Sequence, residues 1–429
     1  MEKGQDSFIE EFYDKYGATE FTGYTTLKDT GKLLSARDGK DGKKLMIFDT
    51  TPFYGESGGQ AADIGIITGN GFEGKVIDVQ KQKGIFTHTV EVLKGTPIEG
   101  EEYFLEVDEA NRMATAKNHT ATHLLHEALR EVLGSHVQQA GSFVNGERLR
   151  FDFNHYEAMT GEELEKVEEL VNEKIAEAIN VSVADMSMDE AKKAGATALF
   201  GDKYGDVVRV VSVEGFSIEL CGGTHIDNIG KIGLFKIESE AGIAAGIRRI
   251  EAVTGKGAYK AVKNIEMLLK NVEKVVKSDG ANLLDRVEKM VETIKENSKE
   301  LEELKSRFTQ IEAQALAENS EVINGVTVIM KTFKTTTADD LRKMVDYVKD
   351  KMANTVVVLA SGADKAIFAA GVTKELTSKV KAGNLVKEAA VITGGNGGGR
   401  PDFAQAGGKD ATKIQEAMNA VKETLKNSL

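Results

Sequence analysis

The segments His119-Thr120-Ala121-Thr122-His123 and Cys221-Gly222-Gly223-Thr224-His225 together contain four residues of types that commonly bind metal ions. Residues four apart in a helix lie about 6 Å apart on one face, so His119 and His123 can both point at one ion. The two glycines favour a tight turn between Cys221 and His225. One cysteine with three histidines suits a tetrahedral Zn²⁺ site. The alternative is unrelated surface histidines, but the single cysteine of the chain stands four residues before His225, which favours one metal site.

Composition indicates a multidomain protein with enough apolar residues for ordinary cores. The chain has 429 residues, of which 41% are hydrophobic, and this length suggests about three domains. Its net charge of −13 argues against a nucleic-acid partner. The charge is uneven, however, because residues 320–429 contain 16 Lys and Arg against 12 Asp and Glu. RNA binding through this mildly basic region, or through local clusters such as Arg248-Arg249, therefore stays open.

The sequence carries no pattern of export or membrane insertion. Its N-terminal residues lack the apolar core of a signal peptide, and no stretch approaches about 18 uninterrupted apolar residues. A single cysteine cannot form an internal disulfide, which is typical of a reducing compartment. We therefore expect a cytoplasmic protein without a membrane partner.

Residues 21–107 are β-rich. Short runs at 44–48, 64–68, 75–79 and 86–92 are separated by glycine turns, which predicts a small β-barrel or an open sheet. The glycine-rich stretch from Thr51 to Gln60 is too polar for a core strand. It is either a plain hairpin loop or a loop whose backbone approaches a ligand or the neighbouring domain.

Residues 108–255 have an α+β pattern. Apolar residues between 108 and 133 recur at helical spacing, which places His119 and His123 on a helix. The pattern predicts a second helix over 161–179 and strands over 148–153, 206–213, 217–220, 232–238 and 247–253. A small-residue loop of residues 241–246 is expected to join the last two strands.

Residues 257–318 lack proline and are densely charged, and their apolar residues alternate at spacings of three and four. This heptad pattern predicts a long helical hairpin or coiled coil. A spacer helix and a dimer seam are equally consistent with it, and Asn297 would help fix the register in either case. The seam positions are Val287, Met290, Ile294, Asn297, Leu301, Leu304, Phe308 and Ile311.

Residues 323–429 alternate strand-like and helix-like runs, which predicts an α/β domain. Strands are expected over 326–330, 355–360 and 366–371, and helices over 338–352, 384–392 and 411–426. The glycine-rich residues 393–408 are predicted as a loop at the entrance of the last helix. Such a loop either is flexible or contacts a phosphate or terminal hydroxyl through backbone N–H groups. Its glycine order is not that of a nucleotide-binding P-loop, which argues against ATP binding.

Four motifs, at residues 53–60, 119–123, 221–225 and 397–408, resemble in sequence and order the C-terminal half of bacterial alanyl-tRNA synthetases. The resemblance covers nearly the whole chain. It implies an editing domain that hydrolyses tRNA(Ala) wrongly charged with serine or glycine, and a DHHA1-type domain that recognises the tRNA elbow. It also implies one Zn²⁺ per chain, held by His119, His123, Cys221 and His225, with Gln139 and Thr122 in the editing pocket.

The expected fold is therefore α+β and multidomain. It comprises a barrel-like part of the editing module (1–107), a zinc-binding editing core (108–256), a coiled-coil linker (257–319) and a C-terminal DHHA1-like domain (320–429) that binds tRNA or forms a homodimer. Arg248, Arg249 and the run Gly397-Gly398-Gly399-Arg400 are candidate tRNA contacts.

The sequence departs from the family pattern in two places. No class II catalytic domain precedes residue 21, so this chain is expected neither to activate alanine nor to form the ester. It resembles a shortened synthetase with an artificial Met1. Asn396 interrupts a glycine run that is unbroken in the family, which affects the detailed shape of that loop.

The mechanism is expected to differ from that of H-E-x-x-H proteases, because Thr120 stands where their glutamate base would be. We expect Zn²⁺ to organise the pocket and anchor the substrate, while Gln139 and Thr122 orient the serine hydroxyl and the attacking water. Serine rather than alanine is selected because its hydroxyl satisfies a buried polar group, a difference on the order of 10⁴-fold where a site is built for a hydroxyl. His88, His126 and His136 are candidates for proton transfer, although an ordinary packed or surface role is commoner for each.

Two other functions remain open. One is a free-standing trans-editing deacylase with the same chemistry. The other is a non-catalytic module for RNA binding and dimerisation, in which zinc is purely structural and the heptads form the interface.

Overall fold

The structure, a computed structural model, describes residues 2–197, 205–318 and 320–429, with side chains from residue 8 onward. The chain divides into two compact units, Met1–Val272 and Glu273–Leu429. The predictions that concern Met1 and the domain boundary at residue 319 lie outside the described residues. Within the described ranges, no helix is both long enough and apolar enough to cross a membrane.

The first unit begins with a helix and a closed β-barrel, which confirms the predicted barrel. Six strands close the barrel in the order β2-β3-β7-β6-β5-β8, and the four predicted runs overlap β3, β5, β6 and β7. The interior is filled by aromatic and branched side chains such as Phe48, Phe53 and Leu105, all fully buried. The elements are α1 (Glu2–Tyr16), β1 (Glu20–Phe21), β2 (Lys28–Asp38), β3 (Lys44–Phe48), β4 (Thr50–Thr51), β5 (Gly65–Gly69), β6 (Phe72–Gln82), β7 (Ile85–Lys94) and β8 (Glu102–Val107).

The rest of the first unit is α+β, as predicted. Two antiparallel sheets have the orders β14-β15-β10-β9 and β11-β12-β13, and α2 and α3 pack against the four-stranded one. The elements are α2 (Glu109–Leu133), β9 (Gln139–Val144), β10 (Leu149–Asn154), α3 (Gly161–Glu177), β11 (Val181–Ser187), α4 (Met188–Lys193), β12 (Val207–Val213), β13 (Ser217–Leu220), β14 (Phe235–Ala244), β15 (Ile247–Thr254) and α5 (Gly255–Val276).

The glycine-rich loop of the barrel reaches over to β9. Val144 N donates to Gly59 O, and Ala61 N donates to Val144 O, both at 2.8 Å. A Cβ on Gly59 would collide with Ser142, so glycine is required for this approach. Residues 52–60 are therefore a loop whose backbone contacts strand β9 of the same unit, and the division into domains at residue 107 stays a prediction.

A buried ion pair joins the same loop region to α2. The side chains of Arg112 and Asp63 are each 5% exposed, and Arg112 Nε donates to Asp63 Oδ1 at 2.9 Å. The guanidinium also donates to the carbonyls of Gly23 (2.6 Å) and Pro52 (2.9 Å), while Asp63 accepts from Tyr54 N at 2.7 Å. These bonds offset the desolvation of both charges and fix the helix against the barrel.

The predicted loop over residues 241–246 is wrong in extent. Strand β14 continues to Ala244 and pairs with β15, so that the connection is a tight turn ending at Gly246, whose φ is +71°. The run of alanine and glycine indicated a loop because small residues are depleted in strands. Here they accommodate a register shift between Gly242 and Ala244 instead.

The second unit contains the predicted α/β domain. Its mixed sheet has the order β16-β17-β18-β19-β21-β20. Helix α7 and the end of α6 cover one face, and α8 and α9 cover the other. The elements are α6 (Leu283–Glu318), β16 (Glu321–Ile323), β17 (Val326–Phe333), α7 (Ala338–Lys351), β18 (Thr355–Ser361), β19 (Ala366–Val372), α8 (Ala382–Ile392), β20 (Asn396–Gly399), β21 (Phe403–Gly408) and α9 (Ile414–Ser428).

The predicted glycine-rich loop at residues 393–408 is instead a β-hairpin. Gly397, Gly398 and Gly399 pair with β21, so part of the backbone is engaged in the sheet and the run does not lie at the entrance of α9. A Cβ on Gly397 or Gly399 would collide with Ala406 or Ala404 respectively. The low strand propensity of glycine favoured a loop at these positions, but here glycine permits the close approach of two strands.

The predicted helical character of residues 257–318 is confirmed in α5 and in α6, which has 36 residues, while a coiled coil stays a prediction. Its C-terminal end packs on α7 through Ala313 and Leu316. The seam positions Ile294, Leu301 and Phe308 are 63%, 53% and 63% exposed. The dimer seam stays a prediction.

The buried His88 in the barrel predicts a pH-dependent stability. Burial lowers the pKa of its imidazole to about 4, and the ring is bonded to Thr51 Oγ1 (2.8 Å) and Met46 O (3.1 Å). In the unfolded chain His88 binds a proton near pH 6.5, whereas in the folded protein it binds one only near pH 4. Neutral His88 therefore contributes fully to the free energy of unfolding above pH 6.5, and this contribution is lost as the pH falls to 4. Its size is about 3 kcal/mol.

Hydrogen exchange of the β3 and β7 amides, corrected for intrinsic rates, should therefore become faster between pH 6.5 and 5 in the wild type. The His88→Gln variant should show a weaker dependence, because it loses the contribution of His88 and keeps that of His225, whose pKa burial lowers to about 3. An imidazole resonance of His88 that titrates near 6.5 in the folded protein would contradict the assignment.

Candidate metal centre and adjoining cavity

The fold brings the two predicted ligand pairs together. His119 and His123 lie on α2, and Cys221 and His225 lie on the turn that follows β13. One candidate ligand atom from each of the four residues lies within 4.8 Å of the others. The Cys221 sulfur is 3.4 Å from His119 Nε2 and 3.3 Å from His225 Nε2. The four side chains therefore converge on one place in the structure.

Gln60 orients the first histidine. Its Oε1 accepts from Thr224 N at 2.8 Å and contacts His119 Nδ1 at 2.8 Å. A backbone N–H can only donate, so the oxygen of the amide is at this position and Nδ1 of His119 carries the hydrogen. The lone pair of His119 then lies on Nε2, which is the atom that faces Cys221. Gln60 is fully buried.

A carboxylate orients the second histidine in the same sense. Glu219 Oε2 is 2.8 Å from His123 Nδ1, and Oε1 is 2.7 Å from His126 Nδ1. Nε2 of His123 is thereby left for a ligand bond, an arrangement common around protein-bound metals. Thr120 Oγ1 lies 3.1 Å from His225 Nδ1 and plays the corresponding part for the third histidine.

The electrostatics of the centre favour anionic ligands. Burial alone would raise the pKa of the Cys221 thiol, but His119, His225 and His123 hold it well below its usual range. Burial would likewise raise the pKa of the Glu219 carboxyl, yet His123 and His126 lower it to about 2. A thiolate with three imidazoles, each with its Nδ1 within 3.1 Å of an oxygen of Gln60, Glu219 or Thr120, is a donor set that fits Zn²⁺.

Arg209 and Gly223 shape the turn that carries Cys221. Arg209 Nη1 donates to the carbonyls of Cys221 and Gly223, both at 2.9 Å. A Cβ on Gly223 would collide with the imidazole of His119 and lie 2.9 Å from Gln60 Oε1. The predicted tight turn is confirmed, and one of its two glycines is required by the approach to His119.

A cavity of about 280 Å³ opens beside three of the four candidate ligands, His119, His123 and Cys221. The two residues predicted for the pocket, Gln139 and Thr122, both line it. Thr122 Oγ1 donates to Asn118 O at 2.8 Å, and Gln139 Nε2 donates to Ser142 Oγ at 3.3 Å. The remaining walls are Tyr54, Ser57, Gly58, Ser142, Glu219, Leu220, Gly222 and Gly223.

The three histidines considered for proton transfer lie elsewhere. His126 is 2% exposed and bonded to Glu219, and His88 is in the barrel core. His136 is exposed, with its Nε2 3.0 Å from His155 Nδ1. The described lining of the cavity includes none of these three side chains.

The candidate RNA contacts differ in their ion pairing and in their exposure to solvent. Arg248 is paired with Glu240 through Nε at 2.5 Å, and Arg249 is paired with Asp152 through Nε at 2.6 Å. Arg400, in the second unit, is 75% exposed in its side chain and lies 3.4 Å from Asp402. Their role in RNA binding stays a prediction.

Several site residues were not assigned a role from sequence. Gln60 was within a quoted motif, and its position at the end of a glycine-rich loop was the available signal. Glu219 stands two residues before Cys221, on the strand that leads into the turn. Tyr54 and Thr120 lie within two of the motifs but had no signal of their own, and Arg209 lies outside them; the contact of Thr120 with His225 spans 105 residues.

Three family models match parts of this chain, and one of them covers the turn that carries Cys221 and His225. The family "Threonyl and Alanyl tRNA synthetase second additional domain" matches residues 208–251, which include Cys221 and His225. The "DHHA1 domain" family matches residues 325–427, and "tRNA synthetases class II (A)" matches residues 2–111. Two of these three family models are described as parts of tRNA synthetases, and each of the three covers only part of the chain.

The particular family follows from its relatives. The alanine–tRNA ligase of Fusobacterium nucleatum subsp. nucleatum is 61% identical over 100% of this chain and 50% of that protein. The alanine–tRNA ligase of Alkaliphilus oremlandii is 46% identical over 97% of this chain and 48% of that protein. The C-Ala domain from Aquifex aeolicus alanyl-tRNA synthetase is 35% identical over 25% of this chain and 98% of that domain, with a TM-score of 0.24. The chain belongs to the alanyl-tRNA synthetase family and spans about half the length of the curated relatives it matches.

The turn geometry predicts unequal roles for the two glycines in metal binding. Gly223→Ala should weaken Zn²⁺ affinity by about tenfold to a hundredfold, because the new methyl displaces His119 from Gln60. Gly222→Ala is the matched control, since a Cβ there meets no atom within 4 Å. Competition with a chromophoric chelator measures both affinities. Equal affinities in the two variants would contradict this account of the turn.

Proposed function

We propose that this chain hydrolyses the ester bond of tRNA(Ala) mischarged with serine or glycine, releasing the amino acid and a free tRNA 3′ end. The observation that carries the proposal is the cavity of about 280 Å³ walled by three candidate metal ligands and by Thr122 and Gln139. A cavity this small accommodates an amino acid and its ester, and not a whole nucleotide. Membership of the alanyl-tRNA synthetase family supplies the RNA to which that ester belongs.

The fit of His119, His123, Cys221 and His225 to Zn²⁺ supports one zinc ion per chain. Bound there, the ion would supply Lewis acidity toward a substrate oxygen or amine. Gln60, Glu219 and Thr120 would hold the three imidazoles with Nε2 toward it. Replacing these partners would loosen the ligands without removing any of them.

The bonding of Thr122 supports selection of serine. Its hydroxyl hydrogen is donated to Asn118 O, so its oxygen offers lone pairs to a substrate hydroxyl that donates. An alanyl methyl group would leave that oxygen without a donor in a buried site, which disfavours the correct product of the synthetase. Glycine also lacks a hydroxyl, but without a methyl group it leaves room for a water molecule that can donate to this oxygen.

Gln139 supports placement of the attacking water. One of its amide hydrogens is engaged with Ser142 Oγ. Its carbonyl oxygen can accept from a water molecule, and its second N–H can donate to the ester. Gln139 would thus orient the water without acting as a base, since an amide does not titrate in this range.

Other parts of the proposal rest on the family. The second unit would bind the tRNA elbow through its DHHA1-type domain, with Arg400 and the β20–β21 hairpin as candidates, and α6 would form a homodimer seam. The four-part division of the chain at residues 107/108, 256/257 and 319/320 is part of the same proposal.

A non-catalytic role is the second candidate. A site in which all four positions are protein side chains is typical of structural zinc, and the exposed apolar residues of α6 are consistent with an interface. In that case the chain would bind RNA and dimerise without hydrolysis. A free-standing deacylase would show the same hydrolysis as an editing fragment.

The deciding experiment is single-turnover deacylation of seryl-tRNA(Ala) by zinc-loaded protein. We expect hydrolysis well above the spontaneous rate, and loss of both zinc and hydrolysis in Cys221→Ala. His136→Ala, a surface histidine bonded to His155, is the control and should retain both. If zinc-replete wild-type protein fails to accelerate deacylation, the proposed hydrolysis is contradicted and the non-catalytic role remains.

Thr122→Val should lower kcat/KM for seryl-tRNA(Ala) about tenfold to a hundredfold, which corresponds to roughly 1–3 kcal/mol for one lost hydrogen bond. Hydrolysis of glycyl-tRNA(Ala) should change far less. Thr309→Val is the matched control, because Thr309 is also buried and bonded to the carbonyl four residues earlier (Lys305 O, 3.0 Å) but lies in the second unit. An equal loss on both substrates would mean that Thr122 is structural.

A further inference from the structure

An exposed tyrosine stands at the rim of the metal cavity. Tyr24, in the turn between β1 and β2, is 47% exposed, and its hydroxyl donates to Gly222 O at 2.6 Å. Gly222 lines the cavity, and a Cβ there would meet no atom within 4 Å. The tyrosine is therefore bonded to the one residue of the Cys221 turn that faces open space.

The tyrosine ring is held in place by two further contacts. The guanidinium carbon of Arg209 lies 4.2 Å from the ring centroid, and Arg209 is itself bonded to the carbonyls of Cys221 and Gly223. Phe21 approaches edge-on, with ring centroids 4.9 Å apart and planes at 81°. A large aromatic surface is thus exposed to solvent while its orientation is fixed by polar and aromatic neighbours.

A second hollow adjoins the same tyrosine. It has a volume of about 180 Å³ and is lined by Tyr24, Arg209, Thr224 and His225, among others. Pockets for whole drug-sized ligands are usually about 300–1,000 Å³, so this hollow suits one ring system. Tyr24 lines the hollow and is bonded to Gly222, a wall of the metal cavity, so this one side chain contacts the linings of both spaces.

We propose that Tyr24, backed by Arg209, is the stacking platform for the terminal nucleobase of the RNA whose aminoacyl ester enters the metal cavity. The inference rests on the proposed function. In an aminoacylated RNA the ester and the terminal base are attached to the same ribose, so the base must lie one sugar away from the reacting carbonyl. Tyr24 is the exposed aromatic side chain bonded to that rim.

The chemistry of the platform favours a nucleobase. Bases stack on aromatic side chains with a gain of about 1–3 kcal/mol each, and arginine adds a cation–π contribution. The bonds of Tyr24 and Arg209 to the Cys221 turn mean that little side-chain freedom remains to be lost on binding. Stacking at this position would also set the ribose, and hence the ester, at the cavity mouth.

The test compares two small serine esters, 3′-O-seryl-adenosine and the same ester on 1-O-methylribose, which has no base. Tyr24→Leu should raise KM for the adenosine ester about tenfold to a hundredfold, with little change in kcat, and leave the base-free ester unaffected. Tyr24→Phe keeps the ring and should stay within about threefold of the wild type. Tyr156→Leu, which removes a tyrosine that is 91% exposed, is the matched control and should behave as the wild type.

A binding measurement separates this inference from the proposed function. The non-hydrolysable amide 3′-seryl-amino-3′-deoxyadenosine should bind the zinc-loaded wild type, and Tyr24→Leu should weaken its Kd by the same factor in calorimetry. Tyr24-dependent binding without hydrolysis of either ester would overturn the deacylase and support the platform. If the wild type hydrolyses both esters, and Tyr24→Leu leaves both rates unchanged or lowers them equally, the platform would be overturned and the deacylase supported.

Discussion

The candidate metal centre depends on one buried amide, that of Gln60. Its oxygen contacts His119 Nδ1 and accepts from Thr224 N, and its nitrogen donates to Thr224 Oγ1 at 2.9 Å. This side chain therefore joins the barrel loop, helix α2 and the Cys221 turn, which are the three segments that must meet for four ligand atoms to converge. It also sets the tautomer of His119. In a buried site an unsatisfied amide is costly, so the three segments are stabilised in this arrangement together.

The barrel acts as a support for that amide. The ion pair of Arg112 and Asp63 fixes α2 against the loop, and Gly59 lets the loop reach β9. The cavity then forms between the loop, α2 and the Cys221 turn, and its polar walls come from all three. The same turn carries the contacts to Arg209 and Tyr24 at its outer side, so one short segment connects the ligand set with the surface where an RNA end would approach.

Much of this arrangement could be predicted from sequence, and the reasons for the rest are physical. Helix α2 and its two histidines followed from apolar spacing, and the ligand set followed from residue types at short separation. The β20–β21 hairpin was missed because glycine weakens a strand on propensity, while close packing against Ala404 and Ala406 requires it. Gln60 contacts His119 across 59 residues, and Glu219 contacts His123 across 96. Tyr24 is bonded to Gly222 across 198 residues. No local pattern encodes such separations. The heptad positions of α6 predicted a helix correctly, but what covers their exposed side chains depends on a partner.

The central claim is that one zinc ion is bound by His119, His123, Cys221 and His225. Zinc K-edge X-ray absorption of the purified protein tests it most directly. The account predicts one equivalent of zinc with a single sulfur at about 2.3 Å and three nitrogens at about 2.0–2.1 Å. A first shell of oxygen and nitrogen without sulfur, or a spectrum unchanged in Cys221→Ala, would contradict it.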